Sequence, residues 1–121
     1  MEKILVNIPY LEGSDVLPDG SLKPTVGKGR PVVVMLQGNF CGYCTQSKPA
    51  FQAIANNPFF AVATVQTDGG EADRSASAVL GKFNSSGGVP AFLGFDKDGK
   101  FKVQHQGSRD SESLMQFGKS L

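Results

Sequence analysis

Val32-Val33-Val34-Met35-Leu36 is an unbroken apolar run, closed by Pro31 before it and by Gln37-Gly38 after it. A strand without polar alternation must be covered on both faces, which calls for helices on either side of a sheet. The downstream sequence supplies those layers. Phe51, Ile54 and Ala55 repeat at helical spacing and predict a helix over 45–57, kinked where Pro49 removes one backbone donor. Pro58 closes it, and 59–67 reads as the next strand. Asp68-Gly69-Gly70-Glu71 has capping-box spacing with Asp68 as N-cap, ahead of a helix carrying Ala72, Ala76, Val79, Leu80 and Phe83. A Ser/Gly loop over 84–88 leads to a strand at 91–95, a hairpin turn at Asp96-Lys97-Asp98-Gly99 and a returning strand at 100–106. Leu114, Phe117 and Leu121 mark a last amphipathic helix, weakened by Gly118.

The front of the chain has a different texture. Residues 3–8 read as a short strand rich in aliphatic and β-branched residues. Residues 9–31 carry four prolines (Pro9, Pro18, Pro24, Pro31) and four glycines (Gly13, Gly20, Gly27, Gly29), a density that excludes a long helix and predicts turns, with Pro18-Asp19-Gly20 as the clearest. The element order is that of an α/β protein: a mixed sheet of four to five strands flanked by about three helices. No repeat or linker breaks it, so residues 1–121 are expected to form one domain.

Composition narrows the partners. Hydrophobic residues make up 40% and charged residues 19%, which suits one buried core. Twelve basic and 11 acidic residues leave a net charge of +1, with no electrostatic drive toward nucleic acid or anionic membrane. The one basic cluster, Lys23, Lys28 and Arg30, reads as a solvated loop. No segment reaches the ~20 apolar residues of a membrane span. The start of the chain has too short an apolar run for a secretory leader, which predicts a cytoplasmic protein, or a periplasmic one if a leader has been removed.

Both cysteines of the chain fall in Cys41-Gly42-Tyr43-Cys44, between the apolar strand and the helix. Cys41 then sits at or just before a helix N-terminus, where free N–H groups and the macrodipole favour thiolate over thiol. Thiolate is the form that attacks a disulfide, and Cys44, one turn on, suits the resolving role. Three other readings compete. Structural zinc needs about four ligands, and His105 is the only histidine, so no metal and no cofactor is expected. A structural disulfide closing so short a loop constrains the unfolded chain little. Two inert buried thiols remain open as the third.

From Pro31 onward the chain resembles the thioredoxin family. The matching residues are the strand Val32 to Leu36, Phe40-Cys41-Gly42-Tyr43-Cys44 in place of Trp-Cys-Gly-Pro-Cys, Pro49 as the helix proline, Gly88-Val89-Pro90 as the cis-proline segment, and Gly99 and Gly107 beside the last strand. The resemblance implies a thioredoxin-like fold and a monomeric thiol–disulfide oxidoreductase acting on protein disulfides or dithiols. Cys41 and Cys44 would be catalytic, with Phe40, Gly42, Tyr43, Val89 and Pro90 contacting substrate, and a reductase or glutathione as electron donor. Without the resemblance, Pro90 would read as a trans proline at a strand start. Three departures stand out. Met35 occupies the position of the family's buried Asp, which helps proton transfer at the second cysteine, and Thr64 stands near that of its Lys, so fast thioredoxin-type reduction is not implied. Gly42-Tyr43 replaces Gly-Pro, and because the intervening residues tune the reduced state a more oxidising dithiol than thioredoxin's is expected. Two further functions fit the same residues: a thioredoxin-fold binding module with an unused dithiol, and glutaredoxin-like exchange with glutathione. The latter lacks the basic residue before its motif, where Asn39 and Phe40 stand.

Overall fold

Strand β1 (Val32–Gln37) lies inside a four-stranded sheet ordered β2–β1–β3–β4, in a computed structural model that describes residues 5–121. It pairs in parallel with β2 (Ala61–Gln66) and antiparallel with β3 (Ala91–Phe95), and β3 pairs antiparallel with β4 (Phe101–Gln104). All six residues of β1 are buried, as the unbroken apolar run requires.

Alternation along the strands separates two cores. Val32, Val34 and Leu36 pack with Ala61, Ala63, Val65 and Leu93 on the face covered by Ala76 and Leu80 of helix α3 (Glu71–Leu80). Val33 and Met35 pack on the other face with Val62 and Phe92. Phe51 of α2 (Gly42–Ala53) and Leu114 of α4 (Ser111–Lys119) cover them. Mixed sheet and flanking helices therefore match the expected α/β class. The breaker-rich front holds only a one-turn helix, α1 (Pro24–Gly27), and a short 3-10 turn at Gly13–Asp15. Leu17 and Gly20 close the turn over Pro18-Asp19 with a 2.9 Å backbone bond. No helix among the described residues is long and apolar enough to cross a membrane.

Several local expectations change. Of the strand expected at 3–8, residues 3 and 4 lie outside the described residues, and 5–8 do not join the sheet. The Val6 backbone is bonded instead by the Gln52 side chain, N–H to Oε1 and Nε2 to C=O, both at 2.8 Å. Asn7 is also left-handed (φ 60), which a strand cannot accommodate. The chain meets β2 only afterwards, through a single bridge from Tyr10 to Thr64. Helix α2 ends at Ala53, earlier than periodicity indicates. Asn57 takes over there: its Nδ2 donates to the Ile54 carbonyl and its Oδ1 accepts from the Phe59 and Phe60 N–H groups.

Two glycines have packing reasons. Gly99 has φ +85, and a Cβ there would collide with the Leu22 carbonyl, whose own N–H donates to Gly99 O at 2.8 Å. Gly118 lies in α4 directly over the Phe60 ring, where a Cβ has no room. The residue that weakens the helix is the one that lets it close on the core.

Candidate active site

Helix α2 begins one residue after Cys41, which is its N-cap. The Cys44 N–H donates to Cys41 Sγ at 3.0 Å, so the sulfur takes the place of a capping oxygen and meets the positive end of the helix. The two cysteines are joined in a disulfide with Cα atoms 5.2 Å apart. Cys41 keeps 8% of its surface and Cys44 none, so an incoming group reaches Cys41 first.

The remaining predicted residues fall around this pair. Phe40 and Tyr43 are 74% and 66% exposed and flank the disulfide as apolar walls. The Phe40 ring rests against Gly38 rather than in the core. Gly42 is exposed, and a Cβ there would meet nothing. The Val89 carbonyl lies 3.4 Å from Cys41 Sγ, and the Val89–Pro90 peptide bond is cis. Phe40, Cys41, Gly42, Tyr43, Gly88 and Val89 line one groove of about 520 Å³. Pro90 is buried and borders a smaller cleft on the other side, shared with His105 and Arg109. His105 is turned away, its Nε2 donating to the Ser108 carbonyl at 2.7 Å. Met35 is fully buried in the same apolar cluster as both cysteines. Pro49 lies within α2 on its exposed side.

Asp68 does not cap α3. Gly70 is the N-cap, its N–H donating to Asp73 at 3.0 Å. Asp68 turns toward the site and accepts the Asn39 N–H at 2.9 and 3.1 Å, with Gln66 Nε2 at 3.3 Å. It therefore ties down the loop that delivers Phe40 and Cys41. Loss of some hydration to the surrounding chain pushes its carboxyl up, but bonds from Asn39, Gln66 and the Phe40 backbone outweigh this and hold it below the ordinary range. Sequence reasoning read the local capping spacing and missed a partner 29 residues away.

Two more residues at the site were not anticipated. Arg109 places its guanidinium 5.8 Å from the Tyr43 ring, a contact with no local signal. Lys48 is 5% exposed, on the face of α2 that also carries Cys44, Ser47 and Phe51. Its i+4 spacing from Cys44 was legible in the sequence. Among the described residues no group of three or more His, Cys, Asp or Glu could hold a metal ion.

The comparisons bear on this geometry. No family model matches the chain. It is 28% identical over 103 residues to protein disulfide-isomerase erp38 of Neurospora crassa, covering 85% of this chain and 27% of that protein. It is 28% identical over 102 residues to putative thioredoxin-like protein 453L of Invertebrate iridescent virus 6, covering 71% of this chain and 69% of that one. Among solved structures, the first thioredoxin domain of mouse protein disulfide-isomerase A4 superposes with a TM-score of 0.63 at 27% identity, over 99% of this chain and 84% of that one. The chain belongs to the thioredoxin-like superfamily. Its likeness is to the thiol–disulfide oxidoreductases of that superfamily, and it spans about a quarter of the length of the Neurospora isomerase. Within a thioredoxin-like frame, the Cys41–Cys44 disulfide just beyond the C-terminal end of β1 and the Val89 carbonyl opposite it form one site.

Proposed function

We propose that the chain exchanges disulfides with protein substrates, with Cys41 as nucleophile and Cys44 as resolving thiol. One observation carries the reading: Cys41 Sγ caps α2, receives an N–H at 3.0 Å, and is the member of the pair with exposed surface. In the reduced chain the same donor and the helix dipole favour thiolate at Cys41. That thiolate attacks one sulfur of a substrate disulfide, and the other substrate sulfur leaves as thiolate and takes up a proton. Cys44, once deprotonated, attacks Cys41 Sγ in the mixed disulfide. The Cys41–Cys44 bond forms, the second substrate sulfur leaves, and two electrons have passed to the substrate. Oxidation of a substrate dithiol is the reverse.

Phe40, Gly42, Tyr43 and Val89 are the substrate contacts in this reading, with Pro90 buried behind Val89 and outside the groove. The aromatic pair offers exposed area for an apolar chain segment, Gly42 leaves space above the sulfur, and the Val89 carbonyl is an acceptor for an extended backbone. Met35 places no carboxylate beneath the dithiol, so no like charge there opposes the thiolate of the reduced form. The pair is therefore expected to be more oxidising than thioredoxin's, which is about −270 mV. Equilibration with glutathione measures this, and the value decides whether a reductase or glutathione feeds the site.

The test of function is catalysed reduction of insulin by dithiothreitol. Cys41→Ser should bring the rate down to the uncatalysed background. A variant as active as the parent would instead favour a binding module whose dithiol is unused.

A further inference from the structure

Five of the six buried polar side chains among the described residues belong to α2 or to the strand ends it covers: Ser47, Lys48, Gln37, Thr64 and Gln66. Ser21 is the sixth. Four of the five are neutral. Ser47 donates to the Tyr43 carbonyl at 2.8 Å, Thr64 to the Met35 carbonyl at 2.8 Å, and Gln37 Nε2 to Thr64 Oγ1 and Tyr10 Oη at 3.3 and 3.4 Å. Lys48 is the exception, since a lysine is almost never this deeply buried without a use for its charge.

The surroundings of Lys48 indicate that use. Residues four apart on a helix are neighbours on one face, and helical side chains lean toward the N-terminus. The Lys48 stem therefore runs back past Cys44. Asp68, the carboxylate that acts on the amine, is fixed at the N-terminal end of α2 by the Asn39 N–H. Gln37 Oε1, on the same sheet face as Met35, is buried with no donor, and its partial negative charge favours a cation in this layer. Of the ionisable groups, Cys44 lies one turn back on the same buried face of α2 and Asp68 acts on the amine from the turn after β2, while Gln37, Thr64 and Gln66, the buried polar side chains of the strands, are uncharged and Tyr10 is bonded to Gln37. Burial pushes the amine below the ordinary lysine range, and Asp68 opposes that shift.

We propose that Lys48 is a positioning residue for the second half of exchange: its ammonium group stabilises the Cys44 thiolate that attacks the mixed disulfide on Cys41. This rests on the exchange reading above. The Lys48 charge is not consumed. The proton lost by Cys44 goes to solvent, the Cys41–Cys44 bond forms, and the substrate thiolate leaves. A unit charge one helical turn from a thiol, partly screened by solvent, shifts the thiol equilibrium by roughly tenfold.

Reduced chain mixed with dithiobis(nitrobenzoate) tests this by stopped flow. The first nitrothiobenzoate released reports attack by Cys41, and the second reports resolution by Cys44. In Lys48→Met, which keeps the stem and removes the charge, the pH of half-maximal resolution should rise by about one unit. Resolution at neutral pH should slow several-fold, with the first release unchanged. Lys48→Arg should restore the parent profile. A Lys48→Met profile that coincides with the parent's overturns the proposal, and so does one slowed equally at every pH, which would mark a packing role. If Lys48→Met does not fold, Lys48→Gln carries the same test: the half-maximal pH should rise by about one unit, and no change or a fall overturns it. Cys41→Ser keeps the two claims apart. An inactive Cys41→Ser beside an unmoved Lys48→Met leaves the exchange reading standing and removes this one, whereas an active Cys41→Ser removes the exchange reading itself.

Discussion

Cys41 Sγ lies 3.4 Å from the carbonyl oxygen of Val89, 48 residues further along the chain, while Cys44 is sealed behind it at zero exposure. In the exchange reading proposed above, a partner that reaches the sulfur lies along the Val89 backbone, and Cys44 is the thiol that releases it. Cys44→Ser should accumulate mixed disulfides between Cys41 and protein substrates, visible as adducts on non-reducing gels. Cys41→Ser should form none. Equal trapping by both variants would reverse or erase the assignment of roles.

Phe40 and Tyr43 contribute little to the core, since most of each ring faces solvent. Replacing either by Ala should leave stability within about 0.5 kcal/mol of the parent. The double variant should lower the rate on insulin by several-fold to tenfold while the reaction of Cys41 with dithiobis(nitrobenzoate) stays unchanged, because the small reagent needs no apolar wall. A parallel loss on both substrates would place the effect on the thiolate instead.

Asp68 carries a pH signature. Its folded-state pKa lies below the ordinary 3.8, so its tie to Asn39 adds stability that is fully present above the ordinary range. That stability is lost only as pH falls through the lower folded value. The Asn39 amide resonance, followed by NMR on acidification, should titrate with a midpoint below 3.8. A midpoint at or above 3.8 would mean that the hydrogen bonds do not outweigh burial.

Gly118 sets helix propensity against packing. Alanine would gain about 1 kcal/mol in an exposed helix, but here its Cβ runs into the fully buried Phe60 ring, and overpacking costs about 1–3 kcal/mol. Gly118→Ala should be net destabilising by about 1 kcal/mol in urea unfolding. In a Phe60→Leu background the penalty should shrink or change sign. A Gly118→Ala chain more stable than the parent would show that the ring yields.

Much of this was legible along the chain, for identifiable reasons. The strand at Ala91–Phe95 and the buried run from Val32 are bounded by Pro, Gly and polar residues that act locally. The dithiol's place at a helix start follows from the same local signals. Two of the misreadings involved competition from far away: Gln52 takes the Val6 backbone that a sheet would have used, and Asp68 abandons its neighbouring helix for Asn39. The third was local, since Asn57 ends α2 through bonds to residues two and three positions away. A capping pattern states only what a side chain can do nearby, and a better partner elsewhere overrides it.

By itself the sequence determined the strands and main helices from Val32 onward, that the sheet is covered on both faces, and that all thiol chemistry is confined to Cys41 and Cys44, because periodicity, chain breakers and residue identity are local properties. Tertiary structure alone decided that Val89 faces the Cys41 sulfur, that Phe40 and Tyr43 stand out as walls, and that Asp68 is tied to Asn39 ahead of the dithiol. Those relations depend on how the strands order and pack. Packing energy sums over contacts between residues that the chain keeps far apart until it folds.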